Sequence, residues 1–280
     1  MKIIIIGEDI FSVQTFKALI GDGHHILAFI TPSYNKNAEE IRKITDKYGV
    51  SFKIVNNIND QTFIEYMQFL NPELLVTVHF ERLLQIPLLK IPAKGCINIH
   101  PSLLPLYKGL APQHWPIING DRETGITVHY IDHGMDSGDI ILQEKVEIGP
   151  DEYISDLQFR MLKMYGPLMC RAIQKITEND FHPSFNDPSK DSYYPKLRFN
   201  DTLINLSESK NDIYNLIRGV SSPYLGAHYE DYTIWRAKKI TQKEEDTYCR
   251  QFPGPGFYEI GNDEAILKVS DGILFITDYE

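Results

Sequence analysis

Residues 1–32, MKIIIIGEDIFSVQTFKALIGDGHHILAFITP, read as strand, helix and strand. Lys2–Ile6 is an unbroken apolar run closed by Gly7, as expected of a strand covered on both faces, and too short for a membrane span or a signal peptide. Phe11, Thr15, Phe16, Leu19 and Ile20 then recur at helical spacing up to the turn Gly21-Asp22-Gly23. A second apolar run, Ile26–Ile30, stops at Thr31-Pro32. The alternation continues outward. An amphipathic segment spans Ala38 to Tyr48, Phe52–Val55 is strand-like, Phe63, Met67 and Leu70 mark a helix ending at Asn71-Pro72, and Leu74–Val78 is the next strand. Strands alternating with helices require crossover connections, hence a mostly parallel sheet with helices on both faces and ligands beyond the carboxyl ends of its strands.

From Gly95 the pattern changes. Apolar runs at Cys96–Ile99, Gly125–Ile131 and Ile140–Val146 follow one another with a helix pattern only at Ala111–Ile118, which leaves room for antiparallel pairing. A helix of about seven turns is expected from Ile154 to near Thr177, with Leu157, Met161, Met164, Leu168 and Ile176 as its apolar face. Asn179–Pro195, rich in Asn, Asp, Ser and Pro, reads as a linker or surface loop. Beyond it, Ser209 to Asp212 resembles a capping box, Ile213, Leu216 and Ile217 follow at helical spacing, and Gly219 reads as a helix stop. Strand patterns at Tyr232–Ile240, Gly256–Ile260, Ala265–Val269 and Ile273–Thr277 make the tail a small β-rich appendage. The expected division is therefore 1–180 and 181–280.

The 280 residues carry 28 Lys+Arg and 38 Asp+Glu, a net charge of −10, which speaks against affinity built on neutralising polynucleotide phosphates. Cys96, Cys170 and Cys249 are odd in number and in no metal-ligand spacing, so neither a disulfide framework nor a zinc site is indicated and a reducing cytoplasm is expected.

Two clusters carry chemistry. In Asn98-Ile-His100-Pro101, strand alternation points Asn98 and His100 to one side, and Pro101 ends the pairing. An amide donor beside an imidazole suits acyl transfer, one stabilising an oxyanion and the other orienting or deprotonating the attacking group; a strand end with two solvated polar residues would look the same. In Asp132-His133-Gly134-Met135-Asp136-Ser137-Gly138-Asp139, carboxylates between glycines suit a tight loop exposing backbone to a ligand, or an ordinary Asx-rich turn, while the calcium-loop spacing is absent. Gly7-Glu8-Asp9 lacks both phosphate-binding glycine patterns, and His24, His25, His79, His182 and His228 read as surface or hydrogen-bonded structural residues.

Gly95-Cys-Ile-Asn-Ile-His-Pro-Ser-Leu-Leu-Pro, Lys108-Gly109, Ala111-Pro112, Glu123-Thr-Gly-Ile-Thr and Met135-Asp-Ser-Gly-Asp-Ile-Ile together resemble the folate-dependent formyltransferases. That group includes methionyl-tRNA, glycinamide-ribonucleotide and nucleotide-sugar N-formyltransferases. The resemblance implies a Rossmann-like domain using N10-formyltetrahydrofolate without a metal, with Asn98, His100 and Asp136 as catalytic trio. It implies Phe80, Arg82 and Leu84 along the pterin ring, Leu89 on its apolar wall, and the loop Asp132, His133 to Asp136 closing the other side.

For the acceptor, Phe181–Glu280 holds 11 Lys+Arg and 16 Asp+Glu, so 11 − 16 gives −5 where a tRNA-binding appendage should be basic. Tyr193-Tyr194-Pro195-Lys196-Leu197-Arg198, Arg218, Ser222-Pro223-Tyr224 and Ile234-Trp235 are similar to the nucleotide-sugar N-formyltransferases, although Leu197 interrupts the family's Lys-Arg pair. That resemblance implies a dTDP-amino sugar acceptor for surface polysaccharide synthesis; the acidic balance and the short apolar runs lead to no nucleic acid or membrane partner being expected, and the β tail is expected to mediate a homodimer. Tyr194, Lys196, Arg198, Tyr224 and Trp235 are the expected acceptor contacts, with Lys196 and Arg198 on the diphosphate. A methionyl-tRNA formyltransferase, a hydrolase releasing formate from the same co-substrate and a non-catalytic folate-binding protein are the alternatives.

Overall fold

The computed structural model describes residues 1–261 and 264–280. Strand β1 (Lys2–Gly7) leads to α1 (Ile10–Gly21), β2 (His25–Pro32), α2 (Ala38–Lys47), β3 (Ser51–Val55), α3 (Gln61–Leu70), β4 (Leu74–Val78), the single turn α4 (Ile86–Leu89) and β5 (Cys96–His100). After β6 (Lys108–Gly109) and α5 (Trp115–Ile118) come β7 (Glu123–Tyr130), β8 (Ile140–Glu147) and the long α6 (Ile154–Thr177). Seven strands form one sheet in the order β3-β2-β1-β4-β5-β7-β8. Strands β3 to β5 pair in parallel and β5 pairs with β7 antiparallel, as the change of pattern at Gly95 allows. The fold is thus mixed α/β, with the mostly parallel sheet expected.

Ile3, Ile4, Ile5 and Ile6 are each fully buried, which accounts for an unbroken rather than alternating run. One core joins Ile4, Ile6, Ala28, Ile30 and Leu75 to Phe63 and Met67 of α3. Asp60 caps α3 by accepting the Phe63 N–H at 2.7 Å. Asp60→Ala should lower unfolding free energy by about 1 kcal/mol, read as a reduced denaturant midpoint at unchanged slope.

Strand β9 (Tyr193–Tyr194) precedes α7 (Lys210–Val220), β10 (Ala227–Tyr229), β11 (Tyr232–Lys239), α8 (Gln242–Gln251), β12 (Gly256–Gly261), β13 (Glu264–Val269) and β14 (Gly272–Tyr279). The order β10-β11-β14-β13-β12 makes an antiparallel sheet whose inner face packs with Ile213, Tyr214, Ile217 and Val220 of α7. This is the expected β-rich subdomain. By compactness the chain divides into residues 1–109, 125–146 and 160–193, and residues 110–124, 147–159 and 194–280.

In three places the structure departs from the sequence pattern. The helix expected at Ala111–Ile118 is confined to α5, because Pro116 has no N–H to donate and fits only the first turn. Gly219 does not stop α7, which runs on to Val220; a Cβ there would stand 2.5 Å from Ile118 Cγ1, so glycine serves close approach. Helix α8 was not expected, since its sequence is polar almost throughout; its signal is the capping box from Thr241 to Glu244.

Candidate active site

The site is built where β4, β5 and β7 lie side by side. Register places Thr77 opposite Asn98 and Asn98 opposite His129, so three polar side chains form a row across the sheet. Thr77 Oγ1 donates to Asn98 Oδ1 at 2.8 Å, and Asn98 Nδ2 lies 3.2 Å from His129 Nε2. His129 Nδ1 is 2.8 Å from the Tyr130 carbonyl, which can only accept, so Nδ1 carries the proton and Nε2 accepts from the amide. Complete burial pushes the His129 pKa down to about 4, against the pull of Asp136, and keeps the ring neutral. The amide is therefore oriented from both ends, with one Nδ2–H unspent among the described residues.

His100, on the same face two residues on, is 4% exposed. Its Nε2 donates to the Tyr107 carbonyl at 2.9 Å, which leaves Nδ1 as the nitrogen able to take a proton. Nδ1 faces Asp136 Oδ1 at 3.6 Å, in ion-pair range but beyond a direct hydrogen bond, and His129 Nε2 lies 3.7 Å from the same oxygen. The other carboxylate oxygen accepts the Gly109 N–H at 3.0 Å. Asp136 stands at φ 49°, a left-handed conformation uncommon for a residue with a side chain. Asn186 supports it, donating to the carbonyls of Asp136 at 2.8 Å and Gly138 at 3.1 Å.

Thus Asn98, His100 and Asp136 converge. Sequence reasoning missed Thr77, His129, Asn186 and the backbone of Tyr107 and Gly109. The alternation that pairs Asn98 with His100 also pairs Thr127 with His129, but only the β5–β7 register places His129 beside the amide. Asp132 Oδ1 accepts the Gly134 N–H at 2.9 Å and the Ser137 hydroxyl at 2.6 Å, an Asx turn that shapes the loop, while His133 is exposed.

Among the other named residues, Leu84 is buried, and Phe80 and Leu89 are half-buried against the same core under the sheet. Arg82 is exposed, donates to the Asn56 carbonyl at 2.9 Å and covers the Tyr34 ring at 4.9 Å. In the second unit the Tyr194 hydroxyl accepts from Asn119 at 2.9 Å and its ring lies 4.9 Å from Trp115. Tyr224 donates to Gln158 at 2.7 Å and its ring meets His114. Leu197 packs on the second core, its neighbours Lys196 and Arg198 are exposed, and the Trp235 carbonyl accepts from Ser221 at 2.7 Å.

A neutral amide with a donor to spare, next to an imidazole–carboxylate pair, fits a co-substrate presenting a carbonyl carbon. Among the described residues no group of three His, Cys, Asp or Glu side chains could hold a metal ion, and no helix is long and apolar enough to cross a membrane.

The burial of His129 makes folding stability depend on pH. In the unfolded chain it titrates near 6.5 and in the folded chain near 4, so the unfolded state takes up the proton first as pH falls. Stability should drop between those two values and be insensitive to His129 above them. His129→Gln should flatten that part of the stability–pH curve; equal slopes for the two proteins would contradict a neutral buried ring.

Residues 1–173 match the formyl transferase family and residues 196–280 match the formyl transferase C-terminal domain, so the chain belongs to the formyl transferases. It is a formyltransferase, and formyltetrahydrofolate is the family's formyl donor. It is 32% identical to a methionyl-tRNA formyltransferase of Desulforamulus reducens over 100% of this chain and 90% of that protein. Identity to the methionyl-tRNA formyltransferase of Thermodesulfovibrio yellowstonii is 34%, over 98% and 89%. In fold it is similar to the N-formyltransferase of Helicobacter canadensis, solved with folinic acid and dTDP-3-aminofucose, at TM-score 0.77, 21% identity and full coverage of both chains.

These relatives correct the acceptor. The nucleotide-sugar acceptor and the exclusion of nucleic acid are overturned by full-length likeness to methionyl-tRNA enzymes, whereas the sugar enzymes are similar at about one residue in five. With that acceptor falls the assignment of Tyr194, Lys196, Arg198, Tyr224 and Trp235 as sugar-nucleotide contacts. The physical fault lay in summing charge over a hundred residues. Binding responds to local potential, and β11 alone carries Arg236, Lys238 and Lys239 within the acidic tail.

Proposed function

We propose that this protein transfers the formyl group of N10-formyltetrahydrofolate to the α-amino group of methionyl-tRNA, in the cytoplasm. The observation that carries the reading is the 32–34% identity to methionyl-tRNA formyltransferases over nearly the whole of both chains. The site's chemistry supports it. The co-substrate supplies an activated formyl group on nitrogen. Asn98, held by Thr77 and His129, donates its remaining N–H to the oxygen on which charge develops. His100 Nδ1 and Asp136 Oδ1 act as one proton-holding pair: a proton leaving the attacking amine lodges between them and is available to the departing folate nitrogen. The fixed Tyr107 carbonyl on Nε2 stabilises the imidazolium while it exists.

The test is direct. Purified protein with N10-formyltetrahydrofolate and methionyl-tRNA should yield a methionine heavier by one formyl group, released from the tRNA and weighed. Unmodified methionine, in the presence of an active control enzyme, would refute the reading.

A further inference from the structure

One stretch of chain touches both halves of the proton-holding pair. Tyr107-Lys108-Gly109 offers the Tyr107 carbonyl to His100 Nε2 at 2.9 Å and the Gly109 N–H to Asp136 Oδ2 at 3.0 Å. The tripeptide is itself held from the segment expected to be a mere linker. Ser192 Oγ accepts the Tyr107 N–H at 2.9 Å, and the Ser192 carbonyl accepts the Lys108 N–H at 2.8 Å. The Lys108 ammonium, on a residue 5% exposed, lies 3.1 Å from Asp191 Oδ2. Tyr107 sits at φ 59°, which a tyrosine keeps only when its surroundings enforce it. A few residues earlier, Asn186 fastens the carbonyls of Asp136 and Gly138.

We propose that residues 186–192 form a strap that sets the spacing and tautomer of the His100–Asp136 pair, which makes Ser192, Lys108 and Asp191 positioning residues for formyl transfer. The inference rests on the reading that this pair moves the protons of the reaction. Its logic is local. Without the Ser192 hydroxyl the Tyr107 N–H loses its acceptor, so the left-handed φ of Tyr107 is no longer enforced and the Tyr107–Lys108 peptide, then held only through the Lys108 N–H on the Ser192 carbonyl, is free to tilt about that single bond. The Tyr107 carbonyl then shifts off His100 Nε2, the proton is no longer confined to that nitrogen, and Nδ1 ceases to be the defined acceptor facing Asp136. Lys108, nearly fully buried, requires Asp191 to compensate its charge.

The test uses Ser192→Ala and Ser192→Thr, each alone and combined with His100→Ala. Ser192→Ala should lower kcat for methionyl-tRNA formylation by roughly tenfold to a hundredfold, the sensitivity expected of a displaced reacting group, leave the KM for N10-formyltetrahydrofolate unchanged and alter the shape of the kcat–pH profile. Ser192→Thr, which keeps the hydroxyl, should restore both. With His100 already absent, Ser192→Ala should cost nothing further. A second readout needs no acceptor: imidazole 15N shifts should give neutral His100 as the Nε2–H tautomer in the parent protein and a mixture in Ser192→Ala. If Ser192→Ala does not fold, Asp191→Asn takes its place with the same readouts. Equal losses with and without His100, or an unchanged tautomer and kcat, would overturn the strap. A parent protein inactive on methionyl-tRNA but showing the tautomer change would refute the acceptor and leave the strap standing.

Discussion

Asn98→Ala should lower kcat by on the order of 10²–10³-fold while leaving the KM for N10-formyltetrahydrofolate nearly unchanged. The amide is not a mobile surface group. Thr77 fixes its oxygen and the neutral His129 ring fixes its nitrogen, so the remaining N–H is aimed before substrate arrives. Preorganisation of this kind gains most where charge develops, because nothing must reorient during the reaction. His100→Ala should cost at least as much, and the Asn98→Ala/His100→Ala double variant much less than the product of the two, since the residues act as a unit. Steady-state kinetics on folded protein decide the matter. Turnover of Asn98→Ala within a few-fold of the parent would show that the amide does not meet the developing charge.

The second large effect is expected at Gly138. An added Cβ would lie 1.9 Å from the Tyr130 carbonyl oxygen and 2.7 Å from its carbon, a backbone clash that no side-chain rotation relieves. Gly138 is two residues beyond Asp136 and its carbonyl is fastened by Asn186, so relief must come from moving the loop. Asp136, already in the left-handed region, has little slack. Gly138→Ala should therefore destabilise by about 1–3 kcal/mol and lower kcat by on the order of a hundredfold. Thermal unfolding and kcat, measured together, check both. Parental kcat in a stable Gly138→Ala protein would show that the loop's position does not matter to catalysis.

Much of this site was legible in the chain. Alternation in a strand put Asn98 and His100 on one side, and an unbroken isoleucine run announced a strand covered on both faces. What escaped depended on register and return paths. His129 obeys the same alternation as His100, but only knowledge that β5 and β7 run antiparallel, with Asn98 facing His129, turns it from a core histidine into the group that aims the amide. Asn186 and Ser192 lie in a stretch whose composition reads as loop. Loops are usually exposed, yet Asn186 is 2% exposed, since it donates to the carbonyls of Asp136 and Gly138 in the neighbouring loop. In the tail, the β pattern was readable from apolar spacing, whereas α8 was hidden because a polar helix shows no apolar period. The acceptor was misread for a different reason: net charge is a sum, and recognition is local.

On the proposed reading, formyl leaves the folate only to reach the amine of methionyl-tRNA. Tetrahydrofolate and formyl-methionyl-tRNA should therefore be counted in one reaction mixture, with and without the charged tRNA. One tetrahydrofolate per formylated methionine is expected, and almost none without the tRNA. Tetrahydrofolate and formate appearing at the same rate in the absence of methionyl-tRNA would contradict it.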